Sequence, residues 1–191
     1  MAARLLGTAA QLFWRNGYAA TTTRELSEGL GVQKASLYYH VRKKEDLLYS
    51  ICVNALTNIL SRARDEVSRV NLPEERIRAL IRGHLTAMLD DKDQHATMLT
   101  ELRSLTPKRR REIVSLRDQY ENFIEEVIRE AQKAGAIRAD IPAKILKLGL
   151  LDLLNWAIFW FDGNGELTPT SLADDFTSLY LDGAKHQRQR R

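Results

Sequence analysis

The segment from Thr22 to Leu48 reads TTRELSEGLGVQKASLYYHVRKKEDLL, and its local signals predict two short helices joined by a tight turn. Thr22 and Glu25 have the three-residue spacing of a capping box, which satisfies free backbone N–H groups where a helix begins. Gly31 can adopt the positive φ that ends a helix sharply. This layout is typical of a helix-turn-helix, whose second helix enters the major groove of DNA.

The second predicted helix presents small and aromatic side chains on the face opposite its buried leucine. With Leu37 as the buried direction and about 100° per residue, Ala35, Ser36, Tyr38 and Tyr39 fall on the outer half of the wheel. Basic residues flank the two adjacent tyrosines on both sides. Contacts to the backbone and bases of DNA explain this pattern better than ordinary surface exposure does.

The sequences Leu-Tyr-Tyr-His (residues 37–40) and Lys-Glu-Asp-Leu-Leu (residues 44–48) resemble the DNA-binding domain of the tetracycline-repressor (TetR) family. The resemblance covers residues 3–50, and only the helical layout beyond them. It implies a homodimer that binds double-stranded DNA at a palindromic operator. Carried over position by position, it implies phosphate or base contacts by Thr23, Arg24, Lys34, Ala35, Ser36, Tyr38, Tyr39, His40 and Lys44. The chain departs from the family pattern at Gln33, Val41 and Lys43.

The composition is that of an ordinary globular protein with a modest positive bias. Among 191 residues, 28% are charged and 44% hydrophobic, which excludes wholesale disorder, and the net charge is +4. The N-terminus has helical spacing and does not read as a signal peptide. Cys52 is the single cysteine, so an intrachain disulfide is excluded. Both observations favour a cytoplasmic location.

Apolar residues recur at helical spacing along the chain and predict an all-α fold of about nine helices. We expect a three-helix helix-turn-helix domain over residues 1–48 and a helical ligand-binding and dimerisation domain over residues 49–184. Residues 185–191 form a basic tail. One helix is expected to run from residue 44 to residue 69, and Pro73 suits the first turn of the next.

The predicted helix over residues 142–161 is apolar on nearly every side, and such a helix must be covered on more than one face. Its most apolar stretch, residues 148–161, is fourteen residues interrupted by Asp152 and is too short and too polar to cross a bilayer, so no membrane association is expected. With Phe176, Leu179 and Tyr180 of the last helix, it predicts a four-helix bundle across a two-fold axis. The alternative, in which the whole helix is buried in the core of a monomer, stays open.

A run of basic residues, 108–111, follows Thr106 and Pro107 at a predicted helix start. Either it forms a solvated charged face near Glu101 or Glu112, or it binds an anionic ligand with guanidinium and amide groups. We expect apolar residues near this run. They line a pocket if the run binds an anion, and they belong to the core if it is a solvated face. The candidate ligand-binding residues are His95, Met98, Leu102, Arg109, Arg110, Trp156 and Trp160.

Residues 154–169, LNWAIFWFDGNGELTP, are similar to the C-terminal part of TetR-family regulators of lipid or steroid degradation that respond to acyl-CoA thioesters. The resemblance implies a bound acyl-CoA thioester, with its diphosphate on the arginine run 108–111 and its acyl chain against the tryptophans. For His95, a satisfied, partly exposed histidine is the alternative to a ligand contact.

Catalytic signals are absent from the sequence: there is no phosphate-binding glycine loop, no nucleophile elbow and no metal-ligand spacing. We therefore expect no enzyme activity, no metal and no cofactor. The predicted function is a homodimeric repressor released from its operator by a small hydrophobic or acyl-CoA-type effector. A helical protein-interaction module and an architectural DNA binder without an effector are the alternatives.

Overall fold

The structure, a computed structural model, describes residues 2–33 and 41–184, with the backbone alone for Ala2. Over these residues it contains eight α-helices, one 3-10 turn and no strand, which confirms the predicted all-α class. The predicted ninth helix, the recognition helix, falls on residues outside the described ranges. The helices are α1 (Ala2–Asn16), α2 (Thr23–Leu30), α3 (Lys44–Ser68), α4 (Pro73–Asp90), α5 (Lys92–Glu101), α6 (Pro107–Lys133), α7 (Ala143–Trp160) and α8 (Pro169–Ala184), and the 3-10 turn spans Leu102–Ser104.

Proline marks the starts of three helices, because its missing N–H needs no partner in the first turn. Pro73, Pro107 and Pro169 are the first residues of α4, α6 and α8. The helix predicted over residues 44–69 is confirmed as α3 to within one residue of its end. At the end of α1, Gly17 has a φ of 83° and its N–H donates to the Phe13 carbonyl at 2.9 Å.

The first of two compact units comprises residues 1–57 and 91–117. Its core contains Phe13 of α1, Leu26 of α2 and Leu48 of α3, each at most 1% exposed. The sequence-based boundary at residue 48 assigned residues 91–117 to the other domain. The structure groups them with the N-terminal helices, since α1 and α5 are in contact. This long-range pairing leaves no local sequence signal.

The second unit comprises residues 58–90 and 118–191, described as far as residue 184. Its core is formed where α4 contacts α7 and α8. Gly83 of α4 permits a close approach to α3, since a Cβ at Gly83 would lie 2.8 Å from the Cα of Ala63. Lys147 of α7 is buried, and its ammonium lies 3.0 Å from Glu125 and 3.4 Å from Glu121 of α6.

Candidate nucleic-acid interface and effector site

The first helix of the predicted helix-turn-helix has the capping geometry expected from its sequence. The N–H of Glu25 donates to the Thr22 hydroxyl at 3.2 Å, and the N–H of Thr22 donates to the Glu25 carboxylate at 2.7 Å. The Thr22 N–H and the Thr22 hydroxyl, which donates to the same carboxylate at 2.8 Å, hold the pKa of the Glu25 carboxyl below its ordinary value. Gly31 ends the helix with a φ of 67° and donates its N–H to the Glu28 carbonyl at 3.0 Å. The predicted capping box and glycine stop are confirmed.

The first turn of α2 leaves a guanidinium within reach of a DNA phosphate. Thr23 is half-buried, whereas the Arg24 side chain is 83% exposed and pairs with Glu28 at 2.7 Å. Surface pairs of this kind contribute little stability, so a phosphate can replace Glu28 at small cost. Contacts of Thr23 and Arg24 with DNA stay a prediction.

Six of the predicted DNA contacts lie outside the described residues. They are Lys34, Ala35, Ser36, Tyr38, Tyr39 and His40. Their roles rest on the sequence and on the resemblance stated above.

Lys44, at the first position of α3, is directed at the turn that follows α1. Its ammonium donates to the carbonyls of Tyr18 at 2.6 Å and Thr21 at 2.8 Å, and lies 4.3 Å from the centroid of the Tyr18 ring. Burial lowers the pKa of Lys44, with Glu101 and Glu25 opposing the shift. Lys44 therefore ties α3 to the turn, and a phosphate contact by it stays a prediction.

Arg109 pairs with two carboxylates of α3. Within the basic run 108–111, this residue is therefore neither part of a solvated charged face nor free to bind an anion, as the two interpretations of the sequence expected. Its guanidinium pairs with Asp46, lies 3.5 Å from a Glu45 carboxylate oxygen and covers the Tyr49 ring with its carbon 5.1 Å from the centroid. The expected neighbours were Glu101 or Glu112, or a bound anion. Arg109 is a structural cation of the first unit, whereas Arg110 next to it is exposed.

Two carboxylates at the start of α3 are held ionised by this arrangement. The Thr106 N–H donates to Glu45 at 2.9 Å, and this bond holds the pKa of Glu45 below its ordinary value. The Arg109 guanidinium does the same for the pKa of Asp46, which also accepts the Lys43 N–H at 2.8 Å. We name Glu45, Asp46, Thr106 and Arg109 the α3–α6 clasp.

Sequence reasoning missed the clasp. Acidic residues in a first helical turn are favourable by themselves, so Glu45 and Asp46 gave no sign of partners about sixty residues away. Glu101 has a similar unpredicted role, since it accepts the Tyr18 N–H at 3.0 Å. Both contacts join the N-terminal helices to the segment 91–117.

The candidate ligand contacts on α5 and the 3-10 turn lie within the first unit. His95 is 1% exposed, so the expected partial exposure is wrong, and its Nδ1 lies 3.1 Å from the Asp91 carbonyl. Burial lowers the pKa of the His95 imidazole, so the neutral ring is favoured. Met98 is buried in the hydrophobic cluster of this unit and Leu102 packs against it. All three residues therefore contribute to the packing of this unit, and a role in ligand binding stays a prediction for each of them.

The two candidate tryptophans belong to the second unit and lie on its surface. Trp156 is 65% exposed and stacks beside Phe159 with ring centroids 4.9 Å apart. Trp160 is 45% exposed, with its ring edge-on to Phe176 at 6.2 Å. Phe176, which the sequence analysis groups with Leu179 and Tyr180 on the face of a dimer bundle, is 7% exposed, whereas Leu179 is 65% exposed. Phe176 belongs to the buried face of α8, which packs against its own unit, and Leu179 lies outside that face.

Helix hydropathy and the placement of acidic, histidine and cysteine side chains bear on two further kinds of site in the described part of the chain. No helix there is long and apolar enough to cross a membrane. No group of three or more histidine, cysteine or acidic side chains is placed there to hold a metal ion.

Comparisons with known proteins define the class of this chain, that of DNA-binding regulatory proteins. The family model described as "Bacterial regulatory proteins, tetR family" matches residues 5–51, and "Tetracyclin repressor-like, C-terminal domain" matches residues 71–184. The chain belongs to the TetR family of transcriptional regulators.

Relatives and solved structures agree with this family over nearly the full chain. The transcriptional repressor KstR2 of Rhodococcus jostii (strain RHA1) is 27% identical over 180 residues, which cover 94% of this chain and 88% of the relative. The crystal structure of the TetR-family regulator PfmR from Thermus thermophilus is 30% identical, with a TM-score of 0.87 over 97% of this chain and 100% of that one. AibR, in complex with isovaleryl coenzyme A and operator DNA, is 28% identical, with a TM-score of 0.82 over 92% of this chain and 95% of that one.

Proposed function

We propose that this chain is a homodimeric transcriptional repressor whose first unit binds a palindromic operator and whose release depends on an effector. The observation that carries the proposal is the capped α2 with its glycine stop, followed directly by the 34–40 segment, in a chain of the TetR family. The likeness to the repressor KstR2 supports repression as the mode of control. The proposed DNA contacts are Thr23, Arg24, Lys34, Ala35, Ser36, Tyr38, Tyr39, His40 and Lys44.

A selection from random duplex DNA tests the DNA-binding part. We expect a palindromic consensus, with half-sites about one helical turn apart, because a two-fold dimer places its two recognition helices in successive major grooves. The affinity should fall steeply with salt, since phosphate contacts release counterions. A consensus without symmetry, or an affinity independent of salt, would contradict the proposal.

The proposed effector is a small hydrophobic compound or an acyl-CoA thioester. The support is the structural likeness to AibR, which was crystallised with isovaleryl coenzyme A and operator DNA. The proposed ligand residues remain His95, Met98, Leu102, Arg109, Arg110, Trp156 and Trp160. Among the two arginines, Arg110 is the better probe because Arg109 is already paired with Glu45 and Asp46.

The effector proposal is tested by titrating acyl-CoA thioesters into the complex of the chain with its selected operator. Arg110→Ala should raise the thioester concentration needed for release while the affinity for DNA stays unchanged. Lys133→Ala, which removes an equal charge at the exposed far end of α6, is the matched control. Because coupling between two sites is reciprocal, operator DNA should weaken thioester binding by the same factor. Equal responses of the two variants would remove Arg110 from the site.

The proposed homodimer rests on the exposed apolar face of the second unit. Large apolar side chains there are well exposed, and they lie on two neighbouring helices. The residues of this dimer face are Ile145, Leu148, Trp156, Phe159 and Trp160 of α7 and Leu179 of α8. Contiguous apolar surface of this kind typically marks an interface with another protein chain.

A further inference from the structure

The exposed positions of α7 are arranged symmetrically about Asp152. They are Lys144, Ile145, Leu148, Gly149, Asp152, Trp156, Phe159 and Trp160. Counted from Asp152, exposed positions occur four, seven and eight residues away in both directions. Gly149, three residues before Asp152, is matched by the half-buried Asn155 three residues after it.

This symmetry is what an antiparallel contact between two copies of one helix requires. When a two-fold axis crosses a helix at one residue, a position n residues before it faces the position n residues after it on the other copy. With the axis at Asp152, Ile145 faces the partner's Phe159, and Leu148 faces the partner's Trp156. Each large apolar side chain then meets another one.

We propose that α7 of two copies of this chain pair antiparallel and cross at Asp152, so that the two Asp152 carboxylates face each other across the two-fold axis. The inference rests on the homodimer proposed above and specifies its register. It makes Asp152 a repulsive element at the centre of an otherwise apolar contact.

Local chemistry supports this crossing at two further positions. A Cβ at Gly149 would have nothing within 4 Å, so the backbone there is open to close approach by a second helix. Lys144 faces the partner's Trp160, an arrangement that allows a cation–π contact. The contact thus runs over four turns, from Lys144 to Trp160, which suits two helices crossing at a small angle.

A crossing one turn earlier, at Leu148, is the competing register. It would place Asp152 opposite the partner's Lys144 and form an ion pair. It would also leave Trp156 and Phe159 facing residues beyond the start of the partner's α7, outside the helix-to-helix contact. Burial of two aromatic side chains outweighs an exposed ion pair, so the apolar match favours Asp152.

Sedimentation equilibrium of Asp152→Asn tests the repulsion. Removing two facing carboxylates should lower the dimer dissociation constant by about fivefold at low salt. The gain should shrink at about 1 M salt, where charges are screened over ~3 Å. Asp118→Asn, an exposed aspartate on α6, is the control and should leave the dissociation constant unchanged. A weaker dimer for Asp152→Asn would indicate the competing register and overturn the proposal.

Cysteine cross-linking tests the register directly. Native Cys52 is fully buried and its burial raises the pKa of its thiol to about 12, so it stays unreactive. Asp152→Cys should form a disulfide between the two chains of the dimer, since the two cysteines face each other. Leu148→Cys and Trp156→Cys should cross-link only when the two variant chains are mixed. In a dimer of either variant alone, the two cysteines would lie ~12 Å apart along the helix axis, too far for a disulfide.

The outcomes separate the two proposals. Self-cross-linking of Leu148→Cys without that of Asp152→Cys would overturn the crossing at Asp152 and leave the homodimer standing. A chain that stays monomeric at every concentration would overturn the homodimer itself.

Discussion

Replacing Arg109 by alanine tests the α3–α6 clasp and its role in the DNA-binding unit. The guanidinium and the Asp46 carboxylate are each about one-third exposed, so solvent screens part of their attraction. A charge-assisted hydrogen bond contributes about 1.5–3 kcal/mol when shielded from water, whereas a surface ion pair contributes about 0–1 kcal/mol. We expect Arg109→Ala to lower the free energy of unfolding by about 1 kcal/mol.

The pH dependence of this loss has a definite sign. The clasp holds the pKa of Asp46 below its ordinary value, so its stabilisation is fully present above the unfolded pKa of about 3.9 and is lost as the pH falls further. The difference between wild type and Arg109→Ala should be constant at neutral pH and should shrink below about pH 4.

Urea unfolding at several pH values measures both effects, with Arg110→Ala as the control for loss of a neighbouring exposed charge. A double-mutant cycle between Arg109→Ala and Asp46→Asn isolates their mutual contribution. Because Asp46 accepts the Lys43 N–H just after the recognition segment, Arg109→Ala should also weaken operator binding. A coupling energy near zero, or a stability loss equal to that of Arg110→Ala, would refute the clasp.

The other predictions concern packing, a buried charge and base contact. Gly83→Ala should destabilise the fold by about 1–3 kcal/mol in urea unfolding, because the new Cβ meets backbone at Ala63; a neutral effect would contradict the close approach. Lys147→Ala should cost about 1–2 kcal/mol, since burial opposes the ammonium but Glu125 and Glu121 together raise the pKa of Lys147; a stabilised variant would refute the pairing. Tyr39→Ala should abolish operator binding in fluorescence anisotropy while the dimer persists in sedimentation; retained affinity would remove Tyr39 from the interface.

The local signals of the sequence predicted most helix ends correctly. Thr22, Glu25 and Gly31 act within a few residues of chain, so their capping chemistry is readable without the fold. The same holds for Pro73 at the start of α4. The all-α class followed from periodicity along the chain.

Contacts between distant segments were not predictable in this way. The neighbours expected for Arg109 were near in sequence, whereas its partners Glu45 and Asp46 lie on another helix. Periodicity groups Phe176 with Leu179 on one face of the last helix, but it does not show that Phe176 is buried within its own unit while Leu179 is exposed. The exposure of Trp156 is consistent with the sequence, because α7 carries more apolar side chains than one side of a helix can bury.

Native mass spectrometry of the chain with a selected operator duplex, before and after addition of acyl-CoA thioesters, tests the central claim most directly. The account predicts two copies of the chain on one duplex. It further predicts that a thioester converts this complex to free DNA and a dimer that carries the thioester. A single copy on the duplex, or a dimer that holds thioester and operator with undiminished affinity for either, would contradict it.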